Sequence, residues 1–259
     1  MQHPPTNSYG TPTPYTIPKR PKRPDFGPGK FVWGDFAAIL LYILLFVVGG
    51  AALLLFIPAF RNMFSNDSLA IFGVNLVVYA VMFTLAMVLA RHDLWRSFKT
   101  FQWNPWAKIM LIPGGWFASL MLTALIITTM GEPVKSENQL AIEGMTTEVP
   151  FLTMFVVTAI MGPFVEEYIF RHLLVGKLSR YINKWVCAVI SIVLFAGMHF
   201  IGTGTFEWLS AIPYVTLGTV ITLAYILTGK SLAYSYVLHF FNNAVALIIA
   251  YTVLPIMAS

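Results

Sequence analysis

The chain has few charged residues and a single cysteine. Charged side chains make up 10% of its 259 residues, against roughly 25% in an ordinary soluble domain. One cysteine, Cys187, excludes an intramolecular disulfide framework and a zinc site built from cysteines. We interpret Cys187 as a small apolar residue of a helix. Short segments of alternating polar and apolar residues, typical of a transmembrane β-barrel, are also absent.

What the chain does contain is a series of long apolar runs. Hydrophobic residues make up 58% of the sequence, and the mean hydropathy is +0.74. The runs are close to the ~20 residues that a helix needs to cross a hydrocarbon core of ~30 Å. We predict an all-α polytopic transmembrane helical bundle in the cell membrane, with about seven spans. The predicted spans are Phe36–Ile57, Leu69–Ala90, Ile109–Met130, Phe151–Phe170, Trp185–Ile201, Trp208–Leu227 and Leu232–Leu254.

The first 30 residues differ in composition from everything that follows. They contain 8 of the 16 prolines, and five basic residues lie between Lys19 and Lys30. Such a segment has too little apolar surface to fold, so residues 1–30 are predicted to be a disordered, Pro-rich, basic tail. The apolar stretch begins too late and runs too long for a cleavable signal peptide. Residues 31–130 then hold three N-terminal transmembrane helices.

The basic residues predict how the bundle is oriented. With the N-terminus inside, 14 of the 16 lysines and arginines fall on cytoplasmic segments, and Arg61 and Lys135 fall outside. The positive-inside rule therefore predicts a cytoplasmic N-terminus. On the outer side, residues 131–149 are acidic. The stretch that begins at Ser136 could start a short interfacial helix or be a solvated loop.

Three ionisable residues lie at the end of the fourth predicted span. Glu166, Glu167 and Arg171 would each cost on the order of 2.5–3.5 kcal/mol at bilayer depth. Glu167 and Arg171 are four residues apart with the acid first, which favours an ion pair on a helix. Glu166, about 100° around the helix, would then stay free and could act as a general base. Alternatively, both glutamates pair with cations at the cytoplasmic boundary.

Two later apolar runs carry polar pairs at helical spacing. His199 follows Phe195 by four residues, and Asn243 follows His239 by four, so each pair shares a helix face. Taken alone, a histidine or an amide in a membrane helix is often an interhelical hydrogen-bonding group. Three helices that each offer a carboxylate, an imidazole or an amide favour a shared site. His172, beside Arg171, is predicted to lie at the interface outside that site.

The predicted spans place these motif residues at different depths in the membrane. At ~1.5 Å per residue, His199 lies ~21 Å and His239 ~10 Å from the inner ends of their spans. The depths converge only if the helix of Glu166 continues past Arg171 or the helix of His199 begins nearer Ile190. Gly162-Pro163, one turn before the glutamates, is predicted to bend the chain.

The three motifs resemble those of the CPBP intramembrane protease family, also called the Abi or CAAX-protease-like family. That family is marked by EE-x-x-x-R, F-x-x-x-H and H-x-x-x-N on successive helices, as in residues 166–171, 195–199 and 239–243. The resemblance covers roughly residues 138–250. It implies that residues 131–259 form a catalytic membrane core.

The resemblance also implies an intramembrane endopeptidase. In such an enzyme Glu166 and His199 would activate a water, and His239 and Asn243 would stabilise the oxyanion. Glu167, Arg171 and Phe195 would support the site. No cofactor is favoured, although Glu166, His199 and His239 could supply three ligands to a catalytic zinc.

Other functions remain open at this point. The first alternative is a non-catalytic scaffold or bacteriocin-immunity-type protein that keeps the family fold. A transporter that uses the carboxylates as a proton relay is another, but no inverted repeat supports it. The expected partners are the lipid bilayer and a membrane protein or peptide substrate, with no nucleic acid.

Overall fold

The structure, a computed structural model, describes residues 24–131, 135–201 and 207–253. Within these ranges the chain forms helices and short connecting segments, with no β-strand. The predicted all-α class is therefore confirmed. The predicted disordered tail up to Arg23 lies outside the described residues, as does the end of the last predicted span at Leu254.

The helices are numbered here in chain order. They are α1 (Trp33–Val47), α2 (Pro58–Arg61), α3 (Asp67–Gln102), α4 (Pro105–Met130), α5 (Glu137–Met145), α6 (Phe151–Arg180), α7 (Lys184–Met198), α8 (Trp208–Leu227) and α9 (Leu232–Thr252). A short 3-10 helix, Gly50–Phe56, follows α1. The helix that Ser136 was predicted to start is present as α5, and the Ser136 side chain accepts a hydrogen bond from the Gln139 amide at its first turn.

The number of membrane spans differs from the prediction. In the described residues, five helices are long and apolar enough to cross a membrane, or six if α1 and Gly50–Phe56 form one broken span. Those two helices meet at an angle of 56°, and Gly49, at a positive φ of 77°, permits the break. α7 has 15 residues, or ~22 Å, which is shorter than a ~30 Å core. The count of seven stays a prediction.

Helix α6 lies at the centre of the bundle and positions the two glutamates. Its apolar window is 56% buried, whereas that of α4 is 11% buried. The helix does not end near Arg171 but continues to Arg180 as a 30-residue helix. This is the first of the two arrangements that bring the motif residues to similar depths. Around the Gly162–Glu166 turn the backbone widens into π-helical segments, Val156–Met161 and Glu167–Lys177.

Small residues allow the helices to approach the centre closely. Ala38, Ala86, Ala90 and Ala233 are buried in the same apolar cluster as Tyr168. Lipid tails are as apolar as leucine, so helices in a bilayer gain little from hiding apolar surface and associate through close packing. The fold therefore depends on contact at α6 and not on apolar burial alone.

One end of the bundle, which we call the basic end, carries Arg96, Lys108, Arg180 and Lys230. Contacts between helix termini define it. The Ser231 hydroxyl at the start of α9 donates to the Ser97 carbonyl of α3, and the Tyr234 hydroxyl donates to the Lys108 carbonyl of α4.

Residues 24–31 form an extended strap across the basic end. The Phe26 amide donates to the Gly229 carbonyl in the α8–α9 turn at 2.6 Å. Arg96 of α3 donates to the Phe26 carbonyl at 3.0 Å, and Arg180 of α6 donates to the strap at 3.1 Å. Gly229 has a φ of 75°, and a Cβ there would lie 2.0 Å from the carbonyl oxygen of Pro24. The turn therefore requires glycine beside the strap.

We expect the basic end to face the cytoplasm, because the positive-inside rule places it there. This can be measured by cysteine labelling in a Cys187→Ala background. Asp67→Cys, exposed at the opposite end, should react with an impermeant maleimide on intact cells. Lys99→Cys, exposed at the basic end, should react only after permeabilisation. The reverse pattern would show that the orientation is inverted.

Candidate active site

A buried ion pair on α6 forms the base of the site. The Arg171 Nη1 atom lies 2.9 Å from Glu167 Oε1, and both side chains are 0% exposed. This is the pair that the i,i+4 spacing predicts. The guanidinium also donates to the Gly218 carbonyl of α8 at 3.3 Å and lies 4.4 Å from the ring centre of Phe195 on α7. Arg171 therefore links three helices.

His239 of α9 contacts both glutamates. Its Nδ1 atom lies 2.9 Å from Glu167 Oε1, and its Nε2 atom lies 3.5 Å from Glu166 Oε2. A carboxylate accepts hydrogen bonds, so a proton belongs between Nδ1 and Glu167. The Nε2 atom is close to Glu166 without making a hydrogen bond to it. The imidazole thus connects the anchored glutamate to the free one.

Exposure separates the two glutamates. The side chain of Glu166 is 15% exposed, while those of Glu167 and His239 are 0% and 2% exposed. Glu166 is therefore the member of this cluster that a small molecule such as water can reach.

Phe195 connects all three motifs. Its ring centre lies 5.1 Å from that of His199 and 5.6 Å from that of His239, in edge-to-face arrangements. Edge-to-face packing is a favourable geometry for aromatic rings. Together with the Arg171 contact, this places residues of α6, α7 and α9 around one phenyl ring.

His199 lies at the C-terminal end of α7. Its Nδ1 atom is 2.9 Å from the Phe195 carbonyl oxygen. Because a carbonyl only accepts, Nδ1 carries the proton and Nε2 of the neutral ring is left as an acceptor. Among the described residues, His199 makes no hydrogen bond or ion pair with Glu166 or His239, although it lies within electrostatic range of both. The structure thus places His239, and not His199, directly against Glu166.

Asn243 bonds α9 to the first π-helical segment of α6. Its side-chain amide nitrogen donates to the Thr158 carbonyl at 2.9 Å. Asn242 donates from its own amide to the Asn243 side-chain oxygen at 3.0 Å. One amide hydrogen of Asn243 is used by Thr158, and the other remains.

A second buried charge cluster was not predicted from the sequence. Asp35 of α1 lies 2.6 Å from Lys177 Nζ and accepts from the Tyr168 hydroxyl at 2.8 Å. His172, predicted to lie at the interface, is buried with its Nε2 atom 3.4 Å from Asp93 of α3. Both contacts lie on α6, on the basic-end side of the glutamates. No sequence signal pointed to them, because Asp35 and Lys177 are 142 residues apart.

The proposed zinc ligands do not form a ready metal site. No group of three or more His, Cys, Asp and Glu side chains in the described ranges is arranged to hold a metal ion. Glu166 and His239 are adjacent, but His199 stands apart with its Nδ1 atom on a backbone carbonyl. These residues do not fit a three-ligand centre in this conformation, so no catalytic step is derived through a metal.

A cavity lies beside this cluster rather than at it. A groove of about 590 Å³ runs between α4, α8 and α9 at the basic end and is mostly apolar. Leu238, the residue before His239, is part of its wall.

Comparison with known proteins covers the helices that carry the three motifs. Residues 148–245 match the family model described as type II CAAX prenyl endopeptidase Rce1-like. This match supports a CAAX-protease-like family for the stretch. The resemblance predicted from the motifs is therefore confirmed. The family supports a membrane protease as the kind of function, and it leaves the choice between glutamic-type and zinc-dependent catalysis undecided.

Two relatives match this chain at low sequence identity. The membrane-embedded CAAX protease MroQ of Staphylococcus aureus strain USA300 is 26% identical over 151 residues, which cover 56% of this chain and 57% of that protein. An uncharacterized protein of Mycoplasma capricolum subsp. capricolum is 27% identical over 165 residues, which cover 58% of this chain and 46% of that protein. The match thus spans about half the length of these relatives. No solved structure gives a significant match.

The buried pair predicts a large stability effect. Glu167→Gln leaves Arg171 buried without its counter-charge, and breaking such a pair costs about 3–5 kcal/mol. We expect a correspondingly lower free energy of unfolding, measured by denaturant unfolding in detergent.

A matched control is the exposed pair of Arg61 and Asp67, whose side chains are 34% and 87% exposed. Arg61→Ala should cost about 0–1 kcal/mol. The double variant Glu167→Gln/Arg171→Met, which removes both buried charges, should recover part of the loss. Equal effects of Glu167→Gln and Arg61→Ala would contradict the role given to the buried pair.

Proposed function

We propose that this protein is an intramembrane endopeptidase that hydrolyses peptide bonds of membrane-associated substrates. The observation that carries the proposal is the cluster of Glu166, Glu167, Arg171 and His239, held around Phe195 in the part of the chain that matches the protease family. Ionisable groups inside a membrane bundle are expensive, and such groups usually mark a functional site.

Glu166 is the proposed general base. It is the cluster member with an exposed side chain, and it has no cation paired to it apart from His239 among the described contacts. A carboxylate held within reach of a water can take the proton of that water as a general base. His199 assists, because its Nε2 atom is an acceptor when Nδ1 donates to the Phe195 carbonyl. The hydroxide formed in this way attacks the scissile carbonyl carbon. When the tetrahedral intermediate collapses, the C–N bond breaks and Glu166 gives its proton to the leaving amine.

His239 and Asn243 are the proposed oxyanion donors. His239 is the group of α9 that stands next to Glu166. Its Nε2 proton, next to Glu166, and the second amide hydrogen of Asn243 are the donors available to a developing oxyanion. Fixed donors in a site that excludes water stabilise such charge more than donors in bulk solvent do.

Glu167 and Arg171 position these groups without taking part in the reaction. Glu167 uses one oxygen for both Arg171 and His239. It therefore sets the rotation of the imidazole and the side of the ring that Glu166 meets. The result is a division of roles between two neighbouring glutamates.

Cleavage of a membrane-peptide library by purified protein in detergent tests this proposal. We expect Glu166→Gln to lower kcat/KM by roughly 10²–10⁴-fold, the usual contribution of a general base. His239→Ala should lower it by roughly 10²–10³-fold, the usual cost of losing one oxyanion donor. Glu148→Gln is the matched control, because Glu148 is exposed and bonds Asn66 at the opposite end of the bundle. It should cleave like the wild type.

Undiminished cleavage by Glu166→Gln would overturn the mechanism. If wild type cleaves no member of the library and Glu166→Gln leaves a cellular phenotype intact, a non-catalytic scaffold becomes the better interpretation.

A strong chelator in the same assay decides the question of zinc. We expect the rate to be unchanged after prolonged incubation with the chelator, because the described carboxylate and imidazole groups can carry the reaction. A loss of activity that added Zn²⁺ restores would instead assign Glu166, His199 and His239 as metal ligands.

A further inference from the structure

His199 is covered by an aromatic ring that belongs to none of the three motifs. The ring of Tyr214 on α8 stacks on the imidazole with ring centres 4.0 Å apart and planes inclined by 24°. Among the residues that the structure describes, the imidazole also packs edge-to-face with the Phe195 ring and has its Nδ1 atom on the Phe195 carbonyl. One face of the imidazole, one of its edges and its Nδ1 atom are therefore each in contact with a neighbouring group. Rotation about the side-chain bonds of His199 would break all three contacts.

The hydroxyl of Tyr214 is held from outside α8. It lies 2.6 Å from the Ser136 hydroxyl and accepts from the Asn138 amide at 3.4 Å. Ser136 is 4% exposed, and its oxygen also accepts from the Gln139 amide as the first cap of α5. Hydrogen bonds therefore connect the start of α5 to the Tyr214 hydroxyl, and the stacked ring of Tyr214 carries the contact on to His199.

We propose that Tyr214, anchored by Ser136, is a positioning residue that holds the imidazole of His199 in the orientation catalysis requires. The inference rests on the proposed peptidase function and adds to it a residue outside the motifs. Its basis is geometric. The Nδ1 atom of His199 is bound to the Phe195 carbonyl, and the Tyr214 ring covers one face of the imidazole. These two contacts fix the direction in which Nε2 points. A displacement of a catalytic group by ~1 Å can cost about 10²-fold in rate.

The proposal predicts a graded series of variants. Tyr214→Leu removes the stacked ring and should lower kcat by about 10²-fold while KM changes little, because the residue acts on His199 and not on substrate binding. Tyr214→Phe keeps the ring and loses only its anchor, so it should retain most of the activity lost in Tyr214→Leu. We expect a decrease of roughly 3- to 10-fold.

The anchor is tested by a double-mutant cycle. Ser136→Ala removes the same hydrogen bond from the other side and should reproduce the loss seen in Tyr214→Phe. The double variant Ser136→Ala/Tyr214→Phe should then be no slower than either single variant, because both remove one interaction. Tyr251→Phe is the matched control. Its hydroxyl bonds the Val149 carbonyl on the same side of the bundle, and its kcat should equal that of the wild type.

The measurements are kcat and KM on a cleaved peptide, together with the midpoint of thermal unfolding in detergent. Losses that multiply in the double variant would overturn the proposal, since Ser136 and Tyr214 would then act separately. Wild-type kcat in Tyr214→Leu, with Glu166→Gln inactive, would overturn it and leave the proposed function intact. Full activity of Glu166→Gln would instead remove the proposed function itself. If Tyr214→Leu does not fold, Tyr214→Phe, Ser136→Ala and their double variant still test the proposal.

Discussion

The buried contact between Arg171 and Glu167 is the constraint on which the rest of the structure depends. Two charges at 0% exposure are stable inside the bundle only if they are paired and supported by further hydrogen bonds from neighbouring helices. Glu167 therefore needs His239 from α9, and Arg171 needs the Gly218 carbonyl from α8 and the ring of Phe195 from α7. The requirement of one ion pair brings four helices to one point. The close approach of α8 at Gly218 follows from it, because a Cβ there would lie 2.9 Å from the Phe195 ring.

The same constraint explains the widened backbone of α6. The helix carries π-helical segments on both sides of Gly162–Glu166, and such segments often occur at functional sites. The Thr158 carbonyl lies in the first segment and accepts from Asn243. In the second segment the Phe170 carbonyl accepts from the Ser191 hydroxyl of α7 at 2.7 Å. Neighbouring helices thus provide donors for backbone groups along the irregular stretch, as a membrane interior requires.

The sequence was informative where an interaction is local or follows a periodic pattern. The pair of Glu167 and Arg171 is one helical turn apart, and the polar motifs stand out against apolar runs, so both could be predicted. The contact of Asp35 with Lys177 could not be predicted, because the two residues are 142 positions apart and no sequence pattern links them. The span count was uncertain for a related reason. A run of apolar residues does not reveal the 56° break after α1 or the early end of α7 at Met198.

Sequence spacing also could not assign the partners of the histidines. His199 and His239 have the same residue type and a similar environment, and only the packing shows that His239 meets Glu166. Tyr214 is one of 11 tyrosines, and it is distinguished only by the position of α8 relative to α7.

The strap formed by residues 24–31 restrains some helices of the bundle and not others. Its hydrogen bonds hold α3, α6 and the α8–α9 turn, and none of those described reaches α4. α4 is also the least buried of the described spans, and one wall of the apolar groove beside His239 is formed by it. Splaying α3 from α6 would break strap contacts, whereas moving α4 outward would leave them intact. The strap therefore restrains the helix of the two glutamates but not α4, which bonds to α8 through Thr123 and to α9 through the Lys108 carbonyl.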